Sequence, residues 1–518
     1  MIRFLTAGES HGPELTGIVE GVPAGFTISK EFIDSYLKRR QKDTGSGGRM
    51  NIESDEVFIS SGVVNNISTG APIALRIKNK DWENWKDKDI EPYVVPRPGH
   101  ADLIGTAKYD LNDIRLVLER SSARETAMRC AIGAIAIQIL ESMGISIYGY
   151  VSSIGKVDYR YSNDFSLDEM RKLTDDSPVS CPDADKSQQM EKEISNARKK
   201  KDTLGGSITT IATGVPPTLG SYVHWDKKLD AKLARILMSI QSVKAIEVGD
   251  GIESSKNYGT SVQDQYVLNK KEIKKESNNL GGFEGGMTNG ENIELTAYLK
   301  PISTTLSPIK SVNLAEKEET ETVYERSDTC AVPRAVPIFE SAMALEILNA
   351  VLNKSGGDNK KEIIKNFENI PNLNIDEFMN KIPEVGCILG LDLGEKRIGI
   401  AISDVNRSFA TSVKVINRGK LTNDVLIISN IISENDISAV IVGRPLNQDG
   451  NPGKKSKSIR RLAEEINKTL KLPLLLWDER FSSQAVEKMM INDIDSVSYT
   501  HLRAHETDSY LVCRLLLE

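Results

Sequence analysis

Two histidines in glycine-bearing turns, with arginines nearby, are the residues best suited to chemistry. The 518-residue chain has only five histidines: His11, His100, His224, His501 and His505. His11 sits in Gly8-Glu9-Ser10-His11-Gly12, and His100 in Arg97-Pro98-Gly99-His100-Ala101-Asp102. Proline fixes φ and glycine turns the chain, so such segments hold a polar side chain at a set angle over a surface or cleft. Imidazole exchanges a proton near neutral pH, which suits proton donation or support of an anionic leaving group. A lone histidine is commonly structural, but these settings shift the balance toward function.

The arginines point to an anion. Ser122-Ala123-Arg124-Glu125 has the form of a capping box, and Ala127, Cys130, Ala131, Ala134 and Ile137 then recur at helical spacing up to a stop at Gly144. A helix starting directly after Arg120-Ser121-Ser122 offers backbone N–H groups and a positive dipole end to a phosphate. The same residues also read as a capped core helix with solvated arginines. Arg39, Arg40 and Arg49 flank a loop bearing Gly45, Gly47 and Gly48, suited to gripping phosphate or carboxylate; a solvated basic loop is the alternative. The run 278–287 is too glycine-rich for regular structure and is either an anion-binding nest or a flexible loop. Lys300-Pro301-Ile302-Ser303-Thr304 offers an ammonium and hydroxyls after a strand. Asp328 lies between Arg326 and Arg334, where its carboxylate stays ionised and available as a base.

The elements that must position these residues belong to more than one domain, given the length. Hydrophobic content of 39% and charged content of 27% are ordinary for a globular protein, and the net charge of −7 argues against a chain built mainly to coat nucleic acid. Cys130, Cys181, Cys330, Cys387 and Cys513 show neither metal-ligand spacing nor a disulfide framework. The N-terminus does not read as a signal peptide, and no apolar run reads as long enough to span a bilayer, so a cytoplasmic enzyme is expected. A short strand covers residues 2–6, an amphipathic helix with Phe32, Tyr36 and Leu37 on its apolar face precedes Arg40, and residues 160–202 read as a polar surface excursion. Strand 205–215, helix 229–240 leading into Gln241-Ser242, and a long helix 338–352 follow.

In this order GESHG, RPGHAD, RSSARETA, SNNLGGFEGGMTNG, KPIST and RSDTCAVPRAVPIFE resemble the chorismate synthase family over residues 1–353. The resemblance implies a β-α-β sandwich in a homotetramer. It also implies a lyase that converts 5-enolpyruvylshikimate 3-phosphate to chorismate by anti-1,4 elimination of phosphate, using reduced FMN without net redox change. By motif, His11 would lie by the leaving phosphate, His100 would donate a proton to the flavin, and Asp328 would take a proton from the flavin–substrate assembly. Arg120, Ser121, Ser122, Gln241, Ser242, Gly285, Lys300, Pro301, Ile302, Ser303, Thr304 and Arg326 match flavin-binding positions. Arg40, Arg49, Arg97, Arg124 and Arg334 match the substrate clamp. Some members of the family reduce FMN with NADPH themselves and others use an outside reductant; no motif here decides between them. In the basic loop, Asp43 stands where the family has glycine and Ser46 where it has arginine. Loss of one charged hydrogen-bond donor weakens substrate binding by about 1.5–3 kcal/mol if no neighbour compensates.

The pattern changes after residue 353. Residues 354–385 read as a linker with one or two short polar helices. Strands 388–393 and 398–403, a helix 425–433, a strand 439–443, a helix 455–470 and a strand 474–477 then form a smaller α/β unit. LGLDLGEKRIGIAISD, IVGRPLNQDG and LWDERFSS resemble the YqgF-type Holliday junction resolvase family, an RNase H-like fold, over residues 386–495. That resemblance implies Asp392 and Glu479 as ligands for Mg²⁺, with Lys454, Lys455, Lys457, Arg460 and Arg461 near nucleic-acid phosphates. The family's last aspartate, in a D-x-x-A-A setting, has no counterpart, and residues 496–518 fit neither family. The expected fold class is therefore α+β followed by α/β. The alternative to a lyase is a nucleic-acid-processing nuclease, acting on structured DNA or precursor 16S ribosomal RNA, with the N-terminal half as scaffold.

Overall fold

The computed structural model describes residues 1–41, 44, 54–88, 91–160, 167–269, 272–323, 328–368, 370, 386–394, 396–405, 410–419, 421–444 and 472–478. The chain folds as two units, one essentially residues 1–372 and the other 373–518.

The first unit is built on two long, largely buried helices. Thr126–Glu141 is buried on nearly every side, from Ala127 to Leu140. Val332–Ser355 is buried from Val332 to Leu348. Helices apolar on nearly every side must be enclosed, and these are, with Glu340, Ser341 and Glu346 among the buried residues of the second. The two pack on each other. Thr126–Glu141 also lies against an antiparallel sheet of strand order Arg3–Ala7, Glu14–Glu20, Ile73–Lys78, Val57–Ser61. Val332–Ser355 lies against a second antiparallel sheet: Val243–Val248, Ile293–Leu299, Gly206–Thr213, Ser146–Ile154, Val157–Asp158. Sheet, helix pair and sheet make the β-α-β sandwich. The alternation along Ile293–Leu299, in which Ile293, Leu295, Ala297 and Leu299 are buried, is the period-2 signature of a sheet covered on one face. The helices cross closely at Gly133, where a Cβ would stand 2.2 Å from Ser341 Cβ. Among the described residues, Val332–Ser355 alone is long and apolar enough to cross a membrane, but 89% of its most apolar stretch is buried inside the fold. It is a core helix.

Several local expectations need correction. The helix expected at Ser122 begins at Thr126, after a single 3-10 turn at Ala123–Glu125. The Ser122 hydroxyl accepts from Arg124 N, and Glu125 turns its carboxylate to Thr6 and Arg129, so the capping box does not form. Arg120 and Ser121 instead end a separate helix, Ile114–Ser121, capped by Asp113. They stand at the negative end of a helix dipole, not at the positive N-terminus that would draw an anion. The glycine-rich run is also regular: Phe283–Glu284 and Met287–Thr288 pair as a hairpin. Gly285 (φ 59°) and Gly286 (φ 84°) form its two-residue turn, a backbone that glycine alone adopts cheaply. The excursion at 160–202 contains helices Leu167–Asp176 and Ala184–Lys199. The second buries Met190, Ile194 and Ala197. A short helix expected within the linker does form, at residues 360–367, but it packs on the first unit: Ile363 is fully buried and Lys360 N–H donates to Ala24 O at 2.8 Å. Residues 371–385 lie outside the described residues.

The second unit has a five-stranded sheet in the order Ala410–Asn417, Arg397–Ser403, Cys387–Leu393, Ile437–Arg444, Leu474–Asp478. The first three strands are antiparallel neighbours, while Cys387–Leu393, Ile437–Arg444 and Leu474–Asp478 run parallel. Helix Leu421–Glu434 supplies the parallel crossover and buries Ile428 and Ile431 with Leu391 and Val442. Ala410–Asn417 was missed in the sequence because only Ile416 of its residues is buried, so no apolar run marks it.

Candidate active site

The functional motifs are loops and helix ends of the first unit, gathered into two hydrogen-bonded groups, one around Asp102 and one around Asn79. At the turn bearing His100, Gly99 has φ 77° and its carbonyl accepts from Ser303 Oγ at 2.9 Å. Ser303 Oγ accepts in turn from Lys300 Nζ at 2.7 Å, and Lys300 N donates to Ser242 O at 2.9 Å. Burial and the nearby Lys244 ammonium push the Lys300 ammonium below its ordinary value, as expected of a cation short of anionic partners. Ile302 O accepts from Thr203 Oγ1, and Pro301 O from Lys300 Nζ, so these two residues offer backbone rather than side-chain polarity.

Asp102 organises this corner. Its side chain is fully buried and accepts from Arg97 N (3.0 Å), Arg97 Nε (2.8 Å), Arg97 Nη2 (3.0 Å) and His100 Nδ1 (2.5 Å). Burial alone would raise its carboxyl. The hydrogen bonds from His100 and Arg97 outweigh that and hold it well below the usual carboxylate range. With Nδ1–H committed to Asp102, the approach of Arg97 Nη2 to Nδ1 at 3.1 Å is a close contact rather than a second bond. Arg97 also donates to Thr304 Oγ1 at 3.0 Å. It is a buried strut between the His100 turn and the loop at residue 304.

His11 is held the same way. Glu119, in the last turn of Ile114–Ser121, accepts from His11 Nδ1 at 2.7 Å and from the His11 backbone N–H at 2.6 Å. The Trp85 ring lies 4.6 Å from the imidazole, centroid to centroid. The His11 loop is tied down by Asn79, whose Nδ2 donates to Gly12 O (2.7 Å) and Glu9 O (3.1 Å).

Asn79 also links His11 to the arginines, since its Oδ1 accepts from Arg124 Nε at 2.9 Å. Arg124 Nη1 donates to Asp55 Oδ2 at 2.7 Å, and Arg40 Nη1 stands 3.7 Å from the same oxygen. Arg40 spends its other donors on Thr126 Oγ1 and Ala123 O. Arg334 is near enough for its charge to act on Arg40, and it is paired with Asp328. Burial, with the charges of Arg334 and Arg124, pushes the Arg40 guanidinium down to about 10. Three guanidiniums thus face two carboxylates, and the excess positive charge invites an anion.

The residues matched to flavin positions lie on separate segments: the end of helix Ile114–Ser121, the stretch joined to Lys300 through Ser242, and the hairpin turn at Gly285. Arg120 Nη2 donates to Thr6 O and Oγ1 at 2.8 and 2.9 Å. Ser122 Oγ donates to Ser10 Oγ at 3.2 Å. Among the described residues, nothing hydrogen-bonds to the buried Ser121 Oγ and Gln241 Oε1. Such groups cost about 1–3 kcal/mol each unless a ligand satisfies them. Ser242 holds φ 71°, and Gly285 opens the hairpin turn. Arg326, Arg49, Asp43 and Ser46 lie outside the described residues.

Glu119, Asp102, Asp55 and Asn79 were not singled out by the sequence. Asp102 was legible in principle, two residues from His100. The other three meet their partners only in the folded chain, Glu119 across 108 positions and Asp55 across 69.

In the second unit, Asp392 is on a central strand. Leu391 pairs with Val442 and Val442 with Leu476, so Asp392 is level with Gly443 and Trp477 near the ends of three parallel strands. Glu479, the basic residues 454–461, His501, His505 and the segment 496–518 lie outside the described residues. No cluster of three metal-ligating side chains occurs among the described residues.

A β-α-β sandwich whose loops gather carboxylate-held histidines, surplus arginine charge and unsatisfied buried polar atoms defines an enzyme for a small anionic substrate. Known proteins carry the assignment further. The family model for chorismate synthase matches residues 2–352, and that for Holliday junction resolvase (RuvX) matches 386–510, running into the segment set apart as a tail. Chorismate synthase of Listeria welshimeri serovar 6b is 45% identical over 384 residues, 72% of this chain and 99% of that protein. That of Geobacter sulfurreducens is 46% identical over 385 residues, 71% of this chain and 98% of that one. A crystal structure of chorismate synthase aligns with a TM-score of 0.58 at 36% identity, over 71% of this chain and 96% of that one. The chain belongs to the chorismate synthase family of lyases and carries in addition a resolvase-like C-terminal domain.

Proposed function

We propose that the first unit eliminates phosphate from 5-enolpyruvylshikimate 3-phosphate in the anti-1,4 sense to give chorismate, with reduced FMN bound. The observation that carries this reading is the crowding of Arg40, Arg124 and Arg334 around Asp55, one asparagine away from the His11 loop. The substrate bears a phosphate and carboxylates, which paired guanidinium hydrogen bonds grip well. His11 protonates or hydrogen-bonds the leaving phosphate oxygen as the C–O bond breaks. Asp328 takes up the proton lost in the elimination, and Arg334 keeps its carboxylate in place. His100, oriented by Asp102, is the proton donor toward the flavin.

The residues present fit the cofactor. Ser121 Oγ and Gln241 Oε1 await partners, and Lys300 is a partly buried cation beside hydroxyls. Arg120, Ser121, Ser122, Gln241, Ser242, Gly285, the stretch Lys300 to Thr304, and Arg326 would hold FMN. Held there, reduced flavin would supply the electron density that C–O cleavage needs, with no net redox change. NADPH is one candidate reductant. We propose a homotetramer, consistent with Leu5, Ile18 and Phe58 lying exposed on the first sheet. Expressed as the full chain in a bacterium lacking this lyase, the protein should restore growth without aromatic amino acids; failure of the soluble protein to do so would refute the reading.

For the second unit we propose Mg²⁺-dependent cleavage of branched DNA or an RNA precursor, with Asp392 and Glu479 as metal ligands. The support is the position of Asp392 at the parallel strand ends; in the sequence, Glu479 follows Trp477 by two residues. Asp392→Asn should abolish such cleavage by the full chain, and equal cleavage by the variant would rule Asp392 out.

A further inference from the structure

We propose that Glu119 is the positioning residue of His11, an inference that rests on His11 serving the leaving phosphate. Glu119 gives both carboxylate oxygens to one residue, taking the His11 imidazole at 2.7 Å and the His11 main-chain N–H at 2.6 Å. Its own carbonyl accepts from Ser10 N–H at 3.0 Å. Three bonds from one glutamate therefore fix the backbone, the ring angle and the tautomer of His11. A carboxylate holding the proton at Nδ1 directs proton exchange with a substrate through Nε2. Trp85 lies beside the ring, with centroids 4.6 Å apart.

The place of Glu119 in the chain adds a second consequence. It directly precedes Arg120, Ser121 and Ser122, and Arg120 returns to Thr6 on the strand leading into the His11 loop. The segment proposed to bind flavin and the histidine proposed to serve the leaving group are thus held in register by one turn of helix. Glu119, rather than the glycine-flanked loop itself, sets the separation of His11 from the segment 120–122. Elimination across a ring needs that distance held, because a misplacement of about 1 Å costs on the order of 10²-fold in rate.

The test uses the full chain with Glu119→Gln, which keeps an acceptor for the His11 main-chain N–H but removes the charge and the second acceptor oxygen. With 15N-labelled histidine the chain gives five sets of ring signals, and His11 is identified by its loss in His11→Ala. Wild-type His11 should show a hydrogen-bonded Nδ1–H, and Glu119→Gln should shift it to a mixture of tautomers. In turnover, Glu119→Gln should lower kcat about 10- to 100-fold, with KM, FMN affinity and thermal unfolding little changed. In a His11→Ala background the same substitution should cost nothing further, since a residue acting only through His11 has no separate contribution. Unchanged His11 signals, an unchanged kcat, or losses that add in the double variant would each overturn the proposal. The tautomer measurement needs no turnover, so absence of phosphate release by the wild type would sink the lyase reading while leaving Glu119 to be judged by the ring signals.

Discussion

His100→Ala should lower turnover by about 10²–10⁴-fold, the range of a positioned general acid, while FMN still binds and the protein still folds. The structure explains why the loss should be confined to chemistry. Three of the four hydrogen bonds received by Asp102 come from Arg97, so the buried carboxylate stays paired when the imidazole is removed. Ser303 still bonds to the Gly99 carbonyl, and the Lys300 loop stays in place. His100 is partly exposed, with a side chain 22% accessible, so its truncation leaves no sealed cavity. Flavin titration and thermal unfolding of the variant, beside its kcat, check this. Wild-type turnover would remove His100 from the mechanism. Loss of FMN binding would make it a structural residue of the cofactor site.

Arg334→Ala should lower kcat/KM by about 10- to 150-fold, the equivalent of the 1.5–3 kcal/mol carried by a hydrogen bond to a charged group. Arg334 is the best probe of the anion cluster because its ion pair is the one closest to solvent. Arg40 is held by Thr126 and Ala123, and Arg124 by Asn79 and Asp55, so truncating either would strand buried partners. The side chains of Arg334 and Asp328, which pair with each other, are 12% and 20% accessible. Removing Arg334 also frees the Asp328 carboxylate from the guanidinium that places it, so kcat should fall as well as substrate affinity. FMN affinity should hold. A rise in KM alone would confine Arg334 to substrate binding, and no change in either constant would contradict the anion cluster as the substrate site.

How much of this was legible in the sequence depends on how local each feature is. His100 and Asp102 are two residues apart, and the turn that joins them is written in Pro98 and Gly99. The apolar helix after residue 126 and the stop at Gly144 follow from periodicity and a positive φ. Ser122 to Glu125 misled because the spacing of a capping box is satisfied equally by a 3-10 turn between two helices. What decides is Thr6, more than a hundred residues away, which takes the Glu125 carboxylate. The hairpin at 283–288 was hidden by the glycines before it, Gly281 and Gly282, and within it, Gly285 and Gly286, which mark tight turns as readily as flexible loops. Its order comes from tertiary contact, since a Cβ on Gly281 would lie 2.4 Å from Gly249 N. Partnerships such as His11 with Glu119 and Arg124 with Asp55 arise only when the sandwich closes. Charge-bearing residues could be shortlisted from motifs, but their pairing could not.

This chain is expected to release phosphate only when its flavin is reduced. The direct measurement is anaerobic turnover of 5-enolpyruvylshikimate 3-phosphate by the full chain, with dithionite-reduced FMN and with FMN left oxidised, following phosphate and chorismate together. Equal amounts of phosphate and chorismate with reduced FMN, and neither with oxidised FMN, are the predicted result. Phosphate release that is independent of the flavin's oxidation state, or absent although reduced FMN binds, would contradict it.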